Sequence, residues 1–276
     1  MMVSQPIIFT DLDGTLLDHD TYSFSAALPA IELIKKREIP LVLCSSKTRA
    51  EIEYWRNRLE NRHPFISENG GGIFVPFSYF AQDDISAVWP EAKMIDGYHE
   101  LVLGTPYPVL RGALEDLRIH GFDIKGFGDM SAGEVAQLTG LNGKEAELAK
   151  KREYDEPFFF QEDQRRFKAL LTSIWEKGLR CAQGRIYHLM GDNDKGKAME
   201  VLKQLFQRKF TDVITIALGD SPVDFPMLEK ADYPVLVRNH KGEHDRRISL
   251  SNLIKAEGIG PEGWNDAILK LIEEGV

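Results

Sequence analysis

Asp11-Leu12-Asp13-Gly14-Thr15 sets two carboxylates two residues apart, directly after the short apolar run Pro6–Thr10. A carboxylate can attack phosphorus and form an aspartyl-phosphate. A second carboxyl two residues on can protonate the leaving oxygen and then deprotonate the hydrolytic water. Gly14 permits a tight turn whose exposed amides suit phosphate oxygens. Two further apolar runs end in similar chemistry: Leu41–Cys44 leads into Ser45, and Ile214–Leu218 leads into Gly219-Asp220. Three carboxylates brought together repel one another unless a cation compensates. Hard oxygen donors suit Mg²⁺, which would also offset repulsion between the attacking carboxylate and an anionic phosphate. Asp-x-Asp-Gly alone is a common turn, so its meaning depends on the elements around it.

These side chains can meet only if the apolar runs are strands of one sheet. Pro6–Thr10, Leu41–Cys44, Phe65-Ile66, Val213–Leu218 and Pro234–Val237 read as buried strands. Ala26–Arg37, Lys47–Asn61, Lys195–Lys209, Val223–Lys230 and Trp264–Glu274 read as helices, with Thr48 and Glu51 spaced as a capping box. Strands alternating with helices predict a parallel sheet covered on both faces, with ligands bound beyond the carboxyl ends of its strands. From about Ile85 to Ile186 the pattern weakens into poorer strands, turns and polar helices. Ala132–Leu138, behind a Ser131 cap, and Gln164–Lys177 are the helices expected there. The fold class is therefore α/β: a Rossmann-like parallel-sheet core over 1–84 and 188–276, with an inserted smaller α/β cap over 85–187.

Composition narrows the function classes. The 276 residues are 43% hydrophobic and 28% charged, as expected of a soluble globular chain. A net charge of -9 and a pI near 5.4 argue against a nucleic-acid surface but allow a local cationic pocket. No apolar run approaches the ~20 residues that span a bilayer, and no basic stretch with an apolar core opens the chain. No membrane partner is expected, and a cytoplasmic location is the default. Cys44 and Cys181 form no disulfide framework or metal-thiolate pattern and read as small buried apolar residues. Nothing in the pattern selects an oligomeric state.

The ordered motifs resemble the haloacid dehalogenase superfamily. Asp11–Thr15 matches its first motif, Ser45 its second, Lys195 in Asp194-Lys195-Gly196 its third, and Gly219-Asp220-Ser221-Pro222-Val223-Asp224 its fourth. The insertion between the second and third motifs is typical of the type with an α/β cap. Further strings resemble the mannosyl-3-phosphoglycerate phosphatases: Cys44–Arg49, Ser67–Gly71, Gly126–Met130, Arg152–Phe158, Tyr187–Leu189 and Gly260–Trp264. The resemblance implies Asp11 as nucleophile and metal ligand, and Asp13 as acid/base with its backbone carbonyl on the metal. It implies Ser45 and Lys195 on the phosphoryl group, Asp220 on Mg²⁺, and Asp224 in support. Many relatives carry Asn where this chain has Val223.

Bland readings stand beside these. Ser45 could cap the next helix, Asp224 the Phe225–Lys230 helix, and Glu68–Gly72 could be only a turn. In the functional reading, Asn69 and the neighbouring glycine amides approach substrate. Lys47, Arg49, Arg152, Arg165, Arg166 and Arg185 are candidates to hold a glycerate carboxylate or sugar, with Lys47 and Arg185 preferred. His188 and Phe158-Phe159-Phe160 read as structural. The expected activity is Mg²⁺-dependent hydrolysis of a small phosphorylated sugar or glycerate, with mannosyl-3-phosphoglycerate the best substrate. The alternatives are glucosyl-3-phosphoglycerate, sucrose phosphate, or a non-catalytic phosphosugar-binding regulator, which only Val223 favours.

Overall fold

Ile7, Ile8 and Phe9 are fully buried, Ile7 and Phe9 in one apolar cluster and Ile8 in another. Side chains alternate faces along a strand, so this run requires cover on both sides. The computed structural model, which describes residues 4–276, supplies it. The chain forms β1 (Gln5–Thr10), β2 (Leu41–Cys44), β3 (Phe65–Ser67), β4 (Gly72–Pro76), β5 (Lys93–Ile95) and β6 (Tyr98–Val102). It continues through β7 (Ile124–Gly126), β8 (Asp155–Phe160), β9 (Arg180–Gln183) and β10 (Tyr187–Met190). It closes with β11 (Val213–Gly219), β12 (Tyr233–Arg238) and β13 (Ile254–Ile259). Nine strands make one sheet in the order β13-β12-β11-β1-β2-β3-β4-β6-β5, and four make a second in the order β7-β8-β10-β9.

The large sheet is parallel from β13 to β3 and antiparallel from β3 to its β5 edge. Helices Leu28–Lys36, Arg49–Arg58 and Pro261–Glu273 bury their apolar stripes against the Ile8 face. Gln82–Val88, Lys195–Lys209 and Phe225–Lys230 cover the Ile7 and Phe9 face. Thr48 forms the expected capping box, its hydroxyl accepting from Glu51 N–H while Glu51 accepts from Thr48 N–H. That box starts the helix at Arg49 and turns Ser46 and Lys47 toward the strand ends.

The expected boundaries of the insertion need correction. β6 pairs with β4, Leu101 opposite Ile73, and β5 pairs with β6, so the large sheet continues to Val102 instead of ending before 85. The strand was disguised by His99 and Glu100, both buried at 6% exposure. Glu100 is tolerated there because it accepts a 2.6 Å hydrogen bond from the Tyr154 hydroxyl. At the other end, β10 pairs with β8, so the small sheet runs to Met190, past 187. Helices Tyr107–Ile119 and Gln164–Glu176 pack a separate core on one face of that sheet. Ala132–Thr139 and Gly143–Ala149 enclose a smaller apolar cluster containing Phe127 and Phe159. Among the described residues no helix is long and apolar enough to cross a membrane.

Candidate active site

Parallel pairing of β1 with β11 brings residues 200 positions apart to one edge. Asp11 N–H donates to Leu218 O at 2.9 Å, leaving the Asp11 side chain just beyond the sheet. Its backbone carbonyl accepts from Thr10 Oγ1 at 2.8 Å, and Thr10 Oγ1 accepts from Trp264 Nε1 at 2.9 Å. Gly14 has φ +79°, and a Cβ there would lie 2.9 Å from Asp220 Oδ2, so the turn and the approach of Asp220 both exclude a side chain. Lys195 enters from the first turn of its helix, whose Asp194 cap accepts from Lys197 N–H at 2.7 Å. Gly196 lets this helix abut the Pro226 carbonyl, which a Cβ would meet at 2.2 Å.

Asp11, Asp220 and Asp224 thus offer carboxylate oxygens within 4.8 Å of one another. Lys195 Nζ, 1% exposed, lies 2.6 Å from Asp11 Oδ1 and 2.6 Å from Asp224 Oδ1. Burial pushes the Asp11 carboxyl up to about 7; Lys195 opposes this, while Asp224 and Asp13 add to it. Burial also holds Asp220 well above the ordinary carboxylate range, reinforced by Asp224 and Asp11. For Lys195, burial pulls downward, but Asp11 and Asp224 outweigh it and keep the ammonium charged. One lysine does not neutralise three carboxylates. The surplus negative charge, the hard oxygen donors and a buried, unpartnered Asp13 Oδ1 fit a divalent cation such as Mg²⁺.

Asp224, expected only in support, offers an oxygen beside Asp11 and Asp220. The Asp13 side chain lies outside that group; its expected approach to the metal is through the backbone carbonyl. Asp13 Oδ2 instead lies 2.8 Å from Lys47 Nζ. Burial pulls the Lys47 ammonium down, but Asp13 and Glu51 prevail and raise it. Asp224 is fully buried and heavily committed. Its Oδ1 meets Lys195, and its Oδ2 accepts from Asp220 N–H, Ser221 N–H and Ser221 Oγ at 3.0–3.2 Å. These bonds make Asp224 a brace for the turn carrying Asp220. Val223 beside it lies on the wall of a cavity.

A cavity of about 560 Å³ opens between the strand ends and the small sheet. Its charged wall carries Asp11, Asp13, Lys47 and Asp220; the opposite wall carries Phe127, Phe159, Arg152 and Arg185. Arg185 is exposed on the β9–β10 turn. Arg152 is buried, donating to Ser46 O at 2.8 Å and Ala149 O at 2.7 Å. Ser45 sits behind the wall, its hydroxyl accepting from Lys47 N–H at 3.3 Å. Arg49 pairs instead with Asp96 and Glu153, and Arg166 with Glu162.

Asn69, expected near substrate, is buried and lines a smaller neighbouring cavity with Lys195 and Val223. Its Nδ2 donates to Asp155 Oδ2 at 2.9 Å, and Asp155 also engages His188 Nδ1. Glu68 beside it accepts from Glu153 and Tyr154 N–H groups, and burial pushes its carboxyl up to about 8. This segment ties the large sheet to the small one; a polar run after a strand resembles a ligand loop in sequence, and only its partners distinguish the two. His19 and His240 stack on the cavity wall with ring centroids 4.1 Å apart, a pairing not anticipated. They lie in loops after β1 and β12, and neither belongs to a motif, so only the strand order joins them.

A parallel α/β sheet with an Asp-x-Asp turn, a buried lysine and an acidic strand end defines a phosphotransfer hydrolase of the haloacid dehalogenase type. The sequence profile of haloacid dehalogenase-like hydrolases matches residues 8–89. The solved structure of a Thermoplasma acidophilum protein superposes with TM-score 0.68 at 18% identity, covering 99% of each chain, a likeness of fold. A Methanococcoides burtonii protein named glucosyl-3-phosphoglycerate/mannosyl-3-phosphoglycerate phosphatase is 51% identical, covering 96% of this chain and 97% of its own. A Persephonella marina protein of the same name is 40% identical, covering 97% of each. The chain belongs to this phosphatase family within the haloacid dehalogenase-like hydrolases, and it is a phosphatase.

Proposed function

We propose that this phosphatase hydrolyses mannosyl-3-phosphoglycerate and its glucosyl counterpart, releasing the glycosylglycerate and phosphate. The reading rests chiefly on the Asp11 carboxylate, at the cavity base beside Asp220 and bonded to Lys195 through Oδ1. Asp11 Oδ2 is the proposed attacking atom. It bonds to phosphorus as the ester P–O bond breaks, and Asp13 delivers a proton to the departing C3 alkoxide. Asp13 then takes a proton from water as that water attacks the aspartyl-phosphate, and Asp11 is restored with release of phosphate. Lys195 positions Asp11 and balances its charge, while Lys47 orients Asp13. The backbone amides after Asp11 and the Ser45–Lys47 turn are proposed to face the phosphoryl oxygens.

Asp11 and Asp220 would hold Mg²⁺, with Asp224 bracing the turn and the Asp13 main chain adjoining. The ion would supply charge compensation for the anionic phosphate. The insertion, over about 103–190, acts in this reading as a cap whose closure excludes bulk water and selects substrate. The proposed setting is the cytoplasm, where free thiols such as Cys44 and Cys181 persist.

The test is phosphate release from mannosyl- and glucosyl-3-phosphoglycerate, sucrose 6-phosphate and common hexose phosphates, each with Mg²⁺ and with EDTA. Strong Mg²⁺-dependent turnover of the two glycosyl-3-phosphoglycerates supports the reading. A flat, weak profile across the panel would refute the substrate assignment.

A further inference from the structure

The cavity's two walls differ: one is rich in carboxylates, and the other carries apolar surface beside Arg152 and Arg185. The carboxylates and Lys47 on one side suit a phosphoryl group and its counterion. The facing wall presents Phe159, Phe127, Leu138 and Ile186, and Leu138 is 51% exposed. Phosphoglycerate alone offers almost no apolar surface to cover such a wall. A hexopyranosyl ring does, because its C–H groups form an apolar face while its hydroxyls project at the edge.

Alternation along β8 decides which aromatic ring is available. Phe158 is 1% exposed and packs with Phe160 into the core beneath helices Tyr107–Ile119 and Gln164–Glu176. Phe159 points to the other face and lines the cavity, half-buried. Behind it lies Phe127, 2% exposed, with ring centroids 6.4 Å apart and planes inclined by 26°. The Arg152 guanidinium stands 5.7 Å from the Phe127 centroid, and its contacts to Ser46 and Ala149 carbonyls hold it there. Phe159 is therefore the front of a supported stack. Phe159 also packs at the edge of the small Phe127 cluster, and only its remaining exposed part lines the cavity.

We infer that Phe159, backed by Phe127 and Arg152, is the platform that receives the apolar face of the substrate's hexopyranosyl ring. The inference rests on the glycosyl-3-phosphoglycerate reading and assigns that substrate's sugar to one wall. Burying a ring face against Phe159 adds affinity for glycosylated over unglycosylated phosphoglycerate.

The experiment compares kcat/KM for mannosyl-3-phosphoglycerate with that for 3-phosphoglycerate in the unaltered enzyme, Phe159→Leu and Phe159→Trp. In Phe159→Leu the preference for the glycoside falls by about tenfold, carried by KM. Phe159→Trp, which keeps a flat face, holds the preference to within about threefold. If the leucine variant does not fold, Phe159→Met gives the same reading, since it keeps bulk without flatness. An unchanged preference in Phe159→Leu, or an equal loss in Phe159→Trp, overturns the platform while leaving the substrate assignment intact. Absence of glycoside turnover in the unaltered enzyme, with 3-phosphoglycerate still hydrolysed, overturns the assignment and the platform together.

Discussion

Replacing Asp220 with asparagine should make the metal-free enzyme more stable while abolishing its response to Mg²⁺. Asp220 sits within 4.8 Å of carboxylate oxygens from Asp11 and Asp224, and Lys195 is held by the other two. At that separation and an effective dielectric near 20, two unit charges repel by about 3.5 kcal/mol. Lys195 offsets part of this, leaving a gain of about 1–3 kcal/mol for Asp220→Asn near pH 7.5. Asparagine keeps an acceptor for Thr15 Oγ1, which contacts Asp220 at only 3.5 Å.

The sign with pH follows from linkage. Asp220 has a folded pKa raised by burial and by its two acidic neighbours, so the folded state holds more protons than the unfolded chain above about pH 4. The Asp220 contribution to the stability of the unaltered metal-free enzyme therefore falls as pH rises from about 4 through the raised value. Asparagine mimics the neutral acid, so the advantage of the variant should shrink near pH 5 and open toward neutrality. Urea unfolding in EDTA at both pH values reads this difference. Added Mg²⁺ should cancel or reverse the ranking, since an ion at about 100 times its Kd adds about 2.7 kcal/mol to the enzyme that binds it. A variant less stable than the parent in EDTA near neutrality would refute the electrostatic account. So would an advantage that is the same at both pH values.

Asp11→Asn should lower phosphate release by at least about 10⁴-fold, because an amide cannot serve as the nucleophile. Its circular dichroism should match the parent, and comparable turnover in a contamination-free preparation would remove Asp11 from the chemistry. Gly196→Ala should cost about 1–3 kcal/mol in urea unfolding, since the new Cβ meets the Pro226 carbonyl at 2.2 Å. A neutral result would mean that the Lys195 helix does not press on that carbonyl. Trp264→Phe removes the indole N–H donated to Thr10 Oγ1 behind Asp11. A loss of about 1–2 kcal/mol is expected, and an unchanged unfolding midpoint would show that bond to be dispensable.

Asp11, Ser45, Lys195 and Asp220 were recognisable in the chain because each follows or opens a short apolar element with a distinct period. Burial on both faces made the central strands uniformly apolar, and that signal is local. The β5–β6 hairpin carries a weak strand signal because His99 and Glu100 interrupt its apolar run, and Glu100 finds its partner, Tyr154, far along the chain. The partner of Asn69 is hidden for the same reason: its amide donates to Asp155, which no spacing specifies. The pairing of Asp13 with Lys47, the bracing of the Asp220 turn by Asp224 and the stacking of His19 on His240 likewise depend on strand order and register.

By itself, then, the sequence carried the Asp11-Leu12-Asp13-Gly14-Thr15 turn after a buried strand, because residue type and short spacing are local, and its family resemblance came from that turn together with Ser45, Lys195 and Asp220 in order. Only the tertiary structure decided which carboxylates lie together, which lysine pairs with each aspartate, and which phenylalanine faces the cavity. Those outcomes depend on distances between strands that the linear order leaves free, and electrostatics and packing act through distance.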